Sequence, residues 1–225
     1  MLGCVNDIPE LVKRARACGA AILMDAAQSA PHMPIDVQKL DVDFVAFSGH
    51  KMLAPMGIGV LYGKQELLEK MPPFLTGGEM IETVSRYDAV YAELPHKFEA
   101  GTVNAGGAVG LAAAIDYLES YGMDKLHAVE QELTAYLFRG MKAIPHIHVL
   151  GSDREDNHTG IVSFAVDQVH PHDISEVLSS DGMDIRAGHH CAQPLHDHLG
   201  VHSTARASLM FYNTCLLYTS DAADD

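Results

Sequence analysis

Apolar positions along this chain fall into two spacings that predict two kinds of element. Ala21-Ile22-Leu23-Met24 and Phe44-Val45-Ala46-Phe47 are short continuous apolar runs, and each closes on polar residues: Asp25 after the first, Ser48-Gly49-His50-Lys51 after the second. Gly59-Val60-Leu61-Tyr62-Gly63 is a third such run. Short unbroken apolar runs bounded by turn residues are the pattern of strands buried on both faces. Asp7 followed by Pro9 starts a helix, with Leu11, Val12 and Ala15 forming its apolar stripe before Cys18-Gly19 closes it. Strands of this kind with helices between them predict a parallel sheet covered on both faces. From about Gly106 the spacing lengthens. Ala108 to Tyr121 and Met123 to Met141 read as long amphipathic helices. Val149-Leu150, Ile161 to Phe164 and Ala207 to Phe211 read as strands, with a helix between Asp173 and Leu178.

This organisation predicts an α/β chain with part of a large parallel-sheet domain over residues 1–118 and a smaller α+β domain over 119–214. Residues 215–225 break the pattern and look like the translation of a transposase-type sequencing adapter, so they are expected to be a non-native tail and carry no weight in the fold. Residue 1 falls directly before a helix, where a doubly wound sheet would need earlier strands.

Charge narrows the partners. Fifteen basic against 30 acidic side chains give a net charge of −15, a surface that repels nucleic-acid backbones and anionic lipid. No apolar run approaches the roughly 20 residues of a membrane helix, and no basic stretch with an apolar core marks a secretory signal. Cys4, Cys18, Cys191 and Cys215 are scattered without a C-x-x-C pair, which suits free thiols in a reducing cytoplasm.

In an open α/β sheet, ligands sit at the carboxyl ends of strands. Here those ends offer Asp25 and Gln28 from the first run and Ser48, His50 and Lys51 from the second. A carboxylate to face a pyridinium nitrogen, with a lysine to bond a carbonyl carbon, is the minimum set for pyridoxal phosphate (PLP). Taken singly, Asp25 reads as a helix cap and Lys51 as a solvent-facing lysine; on successive strands they point to the cofactor.

Three motifs carry a resemblance. Asp25-Ala26-Ala27-Gln28-Ser29-Ala30-Pro31-His32, Phe47-Ser48-Gly49-His50-Lys51 and Arg186-Ala187-Gly188-His189-His190-Cys191 are similar to those of the group II, SufS-type cysteine desulfurases. These enzymes form part of the class V aminotransferase family, with the fold type I architecture of PLP-dependent transferases. The resemblance runs from about Leu2 to Thr214 and implies the C-terminal part of such an enzyme. It further implies that Lys51 holds PLP covalently and moves the substrate Cα proton, that Asp25 pairs with the pyridine nitrogen, and that Gln28 bonds the phenolic oxygen. Ser48 and His50 would bind the phosphate, and Thr102 would reach the phosphate of the neighbouring subunit in a homodimer. Arg206 would take the substrate carboxylate, with Arg186 helping to position substrate or cofactor. Cys191 would attack the sulfur of L-cysteine, releasing alanine and keeping a persulfide, with His189 and His190 as a source of positive charge or a proton acceptor.

Other readings stand beside this one. Cys191 could be a small buried hydrophobe, although Gly188-His189-His190 and Gln193-Pro194 around it read as loop. His189, His190, Cys191, His196, His198 and His202 form a cluster of soft ligands, but without a standard zinc spacing; no metal site is assigned, and His196, His198 and His202 read as surface residues. A non-enzymatic metal-binding module is therefore the reading from another class, and a selenocysteine lyase or another class V enzyme is the runner-up within the family. His170-Pro171-His172 reads as a turn and helix entry. Val103 and Ala54 stand where the family pattern has proline and glycine. The resemblance also implies sulfur supply for iron–sulfur clusters, a SufE- or SufU-type acceptor protein, and a hairpin over Thr76–Glu93 as its contact surface. The N-terminal half of the family's cofactor site lies outside this sequence, so the chain alone is expected to have little or no activity.

Overall fold

The computed structural model describes residues 1–214; the segment 215–225, expected to be an adapter-derived tail, lies outside the described residues. Two compact units emerge: residues Asp7–Tyr121, here called the Lys51 unit, and Met1–Asn6 together with the described chain from Gly122 to Thr214, the Cys191 unit.

In the Lys51 unit, α1 (Ile8–Ala17) begins as expected, with the Asp7 carboxylate accepting from the Glu10 N–H at 3.1 Å and Pro9 in the first turn. Its buried Val12 packs with Ala26, Val42 and Val45. β1 (Leu23–Asp25) runs parallel to β2 (Phe44–Ser48), with Asp25 opposite Ala46, and α2 (Val37–Leu40) lies between them in sequence. Where these elements begin they are tied by Asp43. Its carboxylate takes both ends of the Arg16 guanidinium at 2.7 and 2.8 Å and the Ile22 N–H at 2.8 Å. Chiefly because of Arg16, Asp43 stays ionised well below the usual carboxylate range.

β3 (Gly59–Gly63) corrects the expectation of an all-parallel sheet: it pairs antiparallel to β2, with Ser48 opposite Gly59 and Phe44 opposite Gly63. The connection between them is a 3₁₀ turn, Gly49–Lys51, and a short loop, far too little chain for the crossover a parallel partner requires. Leu23, Val60 and Leu61 remain exposed, so this sheet is not covered on both faces within the described residues. After α3 (Gln65–Leu68), the expected hairpin forms from β4 (Ile81–Val84) and β5 (Ala89–Tyr91), closed where the Ser85 hydroxyl accepts the Tyr87 and Asp88 N–H groups. α4 (Ala105–Tyr121) is capped by Asn104, whose side chain accepts from the Gly107 N–H at 2.9 Å and donates to the Gly57 carbonyl at 3.0 Å. Gly110 lets α4 approach the loop after Lys51: a Cβ there would fall 2.5 Å from Pro55.

In the Cys191 unit, α5 (Met123–Ala143) leads into β6 (Ile147–Leu150), β7 (Ile161–Val166), α6 (Pro171–Ser180), β8 (Arg186–Gly188), α7 (Gln193–Leu199) and β9 (Thr204–Ser208). The sheet has the order β6-β7-β9-β8 and is antiparallel throughout. Leu137 of α5 packs on Val162, Ala207 and Leu209. His170 caps α6 and Pro171 opens it, the helix entry that His170-Pro171-His172 predicts. Met1–Asn6 joins this unit rather than residues 7–118 because its backbone pairs here: Cys4 bridges His158, and the Thr159 N–H donates to the Gly3 carbonyl at 3.0 Å. The last strand is Thr204–Ser208 and not Ala207–Phe211. The buried Ala207 and Leu209 drew the apolar reading forward, whereas the ladder is set by pairing of Ile161–Phe164 with Ala205–Ser208 and of Arg186–Gly188 with Thr204–Arg206.

Candidate active site

Parallel pairing of β1 and β2 brings Asp25, Ser48, His50 and Lys51 to one end of the sheet. Asp25 is the last residue of β1, and the next backbone N–H, that of Ala26, donates to the Ala46 carbonyl at 2.8 Å. The exposed Asp25 carboxylate accepts the Ala27 N–H at 2.9 Å, a local turn that fixes its direction. Gln28 follows in the same turn region and is half-buried. Across the ladder, Ser48 ends β2, and its hydroxyl shares a hydrogen bond with His50 Nδ1 at 2.7 Å. Lys51 closes the 3₁₀ turn and is half-buried. Gly49, buried between them, leaves no room for a side chain: a Cβ would lie 2.8 Å from Ile58. Thr102 is exposed, in the segment before α4. An accessible carboxylate, a hydroxyl–imidazole pair and a lysine amine beside a parallel strand end fit the donor set that PLP requires.

In the other unit, Cys191 sits on the turn between β8 and α7. The Ala192 N–H donates to the His189 carbonyl at 2.8 Å, and the two central residues, His190 and Cys191, have φ of +52° and +58°. That is the pattern of a turn with both central residues left-handed, which favours Asn and Gly; for His and Cys it costs roughly 1–2 kcal/mol per residue. The thiol is exposed and accepts a hydrogen bond from Arg186 Nη2 at 3.6 Å. Arg186 lies directly opposite Arg206 in the β8–β9 ladder. Burial holds the Arg206 guanidinium below its ordinary range; Arg186 adds to the effect and Cys191 opposes it. Its Nε is buried without a partner. Both arginines line an open depression of about 450 Å³ with His172, Ser175, Asp184 and Ser208. Two facing guanidiniums in such a depression would gain from an anion.

Several sequence expectations change here. Gln193-Pro194 is not loop but the first turn of α7. His196 is not a surface residue: it is fully buried, while His198 and His202 are exposed. His190 is no source of positive charge, since burial first, then Arg206, push its pKa down to about 4. The cation beside Cys191 is Arg186. No group of three His, Cys, Asp or Glu side chains among the described residues is arranged to hold a metal ion.

Residues 1–215 match the family model described as "Aminotransferase class-V". This chain belongs to the class-V aminotransferase family. It is 51% identical over 214 residues to a probable cysteine desulfurase of Streptomyces coelicolor, covering 95% of this chain and 51% of that protein. A probable cysteine desulfurase of Staphylococcus aureus is 54% identical over 196 residues, with 87% of this chain and 47% of that protein covered. Among solved structures, the apo cysteine desulfurase of Thermococcus onnurineus superposes with a TM-score of 0.92 at 42% identity, over 96% of this chain and 54% of that one. CsdA of Escherichia coli superposes with a TM-score of 0.88 at 40% identity, over 95% and 53%. The family member in hand therefore shares the fold type I architecture and spans about half the length of the curated relatives it matches.

One residue beside the turn escaped the sequence reading. Thr204 meets the rings of both His190 and His196. A strand starting at Thr204 would have put that residue on the same face as Arg206 by period-two alternation; the apolar run starting at Ala207 hid it.

Proposed function

We propose that the protein containing this chain is a PLP-dependent cysteine desulfurase of the group II, SufS-like type, with Cys191 as the sulfur-receiving residue. The observation that carries the reading is an exposed thiol on a strained turn, hydrogen-bonded by Arg186 and close to the half-buried Arg206, in a chain about half identical to proteins named as cysteine desulfurases. A plain transaminase has no use for a thiol there.

PLP, when bound, supplies an electron sink for carbanion chemistry at the substrate amino acid. Lys51 would hold it covalently and carry the Cα proton. The Asp25 carboxylate would keep the ring nitrogen protonated, Gln28 would donate to the phenolic oxygen, Ser48 and His50 would bind phosphate, and Thr102 would do so toward a second subunit of a homodimer. Arg206 would grip the substrate carboxylate through its guanidinium fork, helped by Arg186. Cys191 Sγ would attack the substrate sulfur: the new S–S bond forms, the substrate Cβ–S bond breaks with its electron pair going to carbon, and a proton completes the methyl group of alanine. The persulfide left on Cys191 would pass to a SufE- or SufU-type acceptor, with the stretch Thr76–Glu93, which contains the β4–β5 hairpin, as the contact surface, for iron–sulfur assembly in the cytoplasm.

The test is alanine release from L-cysteine by the full-length protein, with and without Cys191→Ser. Alanine from the parent and none from the variant supports the reading. Full activity in the variant removes Cys191 as the acceptor, and no alanine from either, with PLP bound, assigns the reaction to another branch of the family.

A further inference from the structure

Cys191 is the residue that reacts in the proposed function, yet nothing in its own sequence neighbourhood explains why its turn stays left-handed. Neither central residue is glycine or asparagine, and both have positive φ. Positive φ at two such residues is costly, and an outside restraint must offset that cost to keep the thiol beside Arg186.

The side chain of His190 meets this demand. Its ring is buried, and Nε2 lies 3.0 Å from both the carbonyl and the hydroxyl oxygen of Thr204. A carbonyl only accepts, so Nε2 carries the hydrogen and Nδ1 is bare; that Nδ1 is buried without a partner. The chain of bonds continues. His196 Nδ1 donates to the Ala192 carbonyl at 3.1 Å, which leaves its Nε2 to accept from the Thr204 hydroxyl at 3.1 Å. Thr204 and His196 are fully buried. One continuous network thus links Ala192, directly after the cysteine, to His196 of α7, Thr204 of β9 and back to His190, directly before the cysteine. It clamps both sides of Cys191. Burying a ring nitrogen without a partner is costly, so this arrangement is not the cheapest way to fill the space.

We propose that His190 is a positioning residue: its Nε2–H bond to Thr204, locked by His196, holds the Cys191 turn left-handed and keeps Sγ beside Arg186 for sulfur transfer. This rests on the reading of Cys191 as the sulfur acceptor.

The experiment uses the full-length, PLP-loaded protein with His190→Asn and His190→Gln. Asparagine suits a left-handed backbone better than histidine but is too short to reach Thr204, whereas the glutamine amide places an N–H where Nε2 sits. Two quantities are read: hydrogen exchange of the Ala192 N–H, which closes the turn, and the single-turnover rate of persulfide formation on Cys191. In His190→Asn the exchange accelerates and persulfide formation slows about tenfold, with the KM for cysteine within twofold of the parent; His190→Gln recovers both to within about threefold. If His190→Asn keeps parental exchange and rate, the backbone needs no anchor and the proposal falls. Equal losses in the two variants also overturn it, because the N–H would then not be the operative group. Cys191→Ser is run alongside. A fully active Cys191→Ser removes the underlying reading and leaves the exchange measurement alone to judge the clamp; an inactive one, with His190→Asn unaffected, removes only the clamp.

Discussion

Chemistry-bearing side chains occupy opposite situations in the two units. At the β1–β2 strand end, Asp25 and His50 are exposed, Ser48 and Lys51 half-buried, and the backbone that carries them is ordinary strand and turn. At the β8–α7 turn the thiol is exposed, but the residue before it is buried, the backbone is strained, and two buried side chains from α7 and β9 brace it. The first arrangement presents groups to a ligand and gains rigidity when that ligand binds. On the proposed function, the second must hold its geometry unaided, because a sulfur-receiving thiol is useful only if it sits in one place before its target arrives. Function and stability should therefore separate at the first region and be coupled at the second.

The sharpest way to break that contrast is Lys51→Ala in the full-length protein. It should cost at least about 10³-fold in alanine formation, while urea unfolding of the cofactor-free protein shifts by no more than about 0.5 kcal/mol. A large loss of stability there would show that the strand end is braced too. A smaller effect belongs to His190. Its pKa is lowered from 6.5 to about 4 by burial, then by Arg206, so between those values the unfolded chain takes up a proton that the folded turn refuses. Stability conferred by the neutral ring is complete above pH 6.5 and declines as pH falls, approaching a loss of about 3 kcal/mol near pH 4. Denaturant midpoints at pH 7 and 4.5 should differ less in His190→Gln than in the parent; parallel pH dependence would deny the coupling. Smallest is Ser48→Ala: loss of one hydroxyl donor should weaken PLP binding by about 1 kcal/mol, roughly fivefold in Kd, with unfolding of the cofactor-free protein unchanged. Titration of PLP by fluorescence decides it, and unaltered affinity would take Ser48 out of the phosphate site.

Much of the first region could be read from the chain alone. Asp25, Ser48, His50 and Lys51 follow continuous apolar runs, so their place at strand ends follows from where the runs stop. The helix starts at Asp7 and Pro171 were equally legible, because caps and N-terminal prolines act through bonds to their own neighbours. The direction of β3 was not: Gly59–Gly63 has the same apolar character whichever way it pairs, and the short link from β2 decides. In the second region, Cys191 could be singled out from its motif, but its bracing could not. His196 lies in a polar stretch that reads as surface, and only the return of β9 beside β8 buries it against Thr204.

By itself, then, the sequence determined the local elements, the strand-end cluster and the residues that mark the family, since each depends on side chains a few positions apart. Tertiary structure alone decided the antiparallel β3, the pairing of Arg186 with Arg206 and the clamp around Cys191. Those depend on strands distant in sequence coming into register, and a strand's pattern records which face is buried but not which partner buries it.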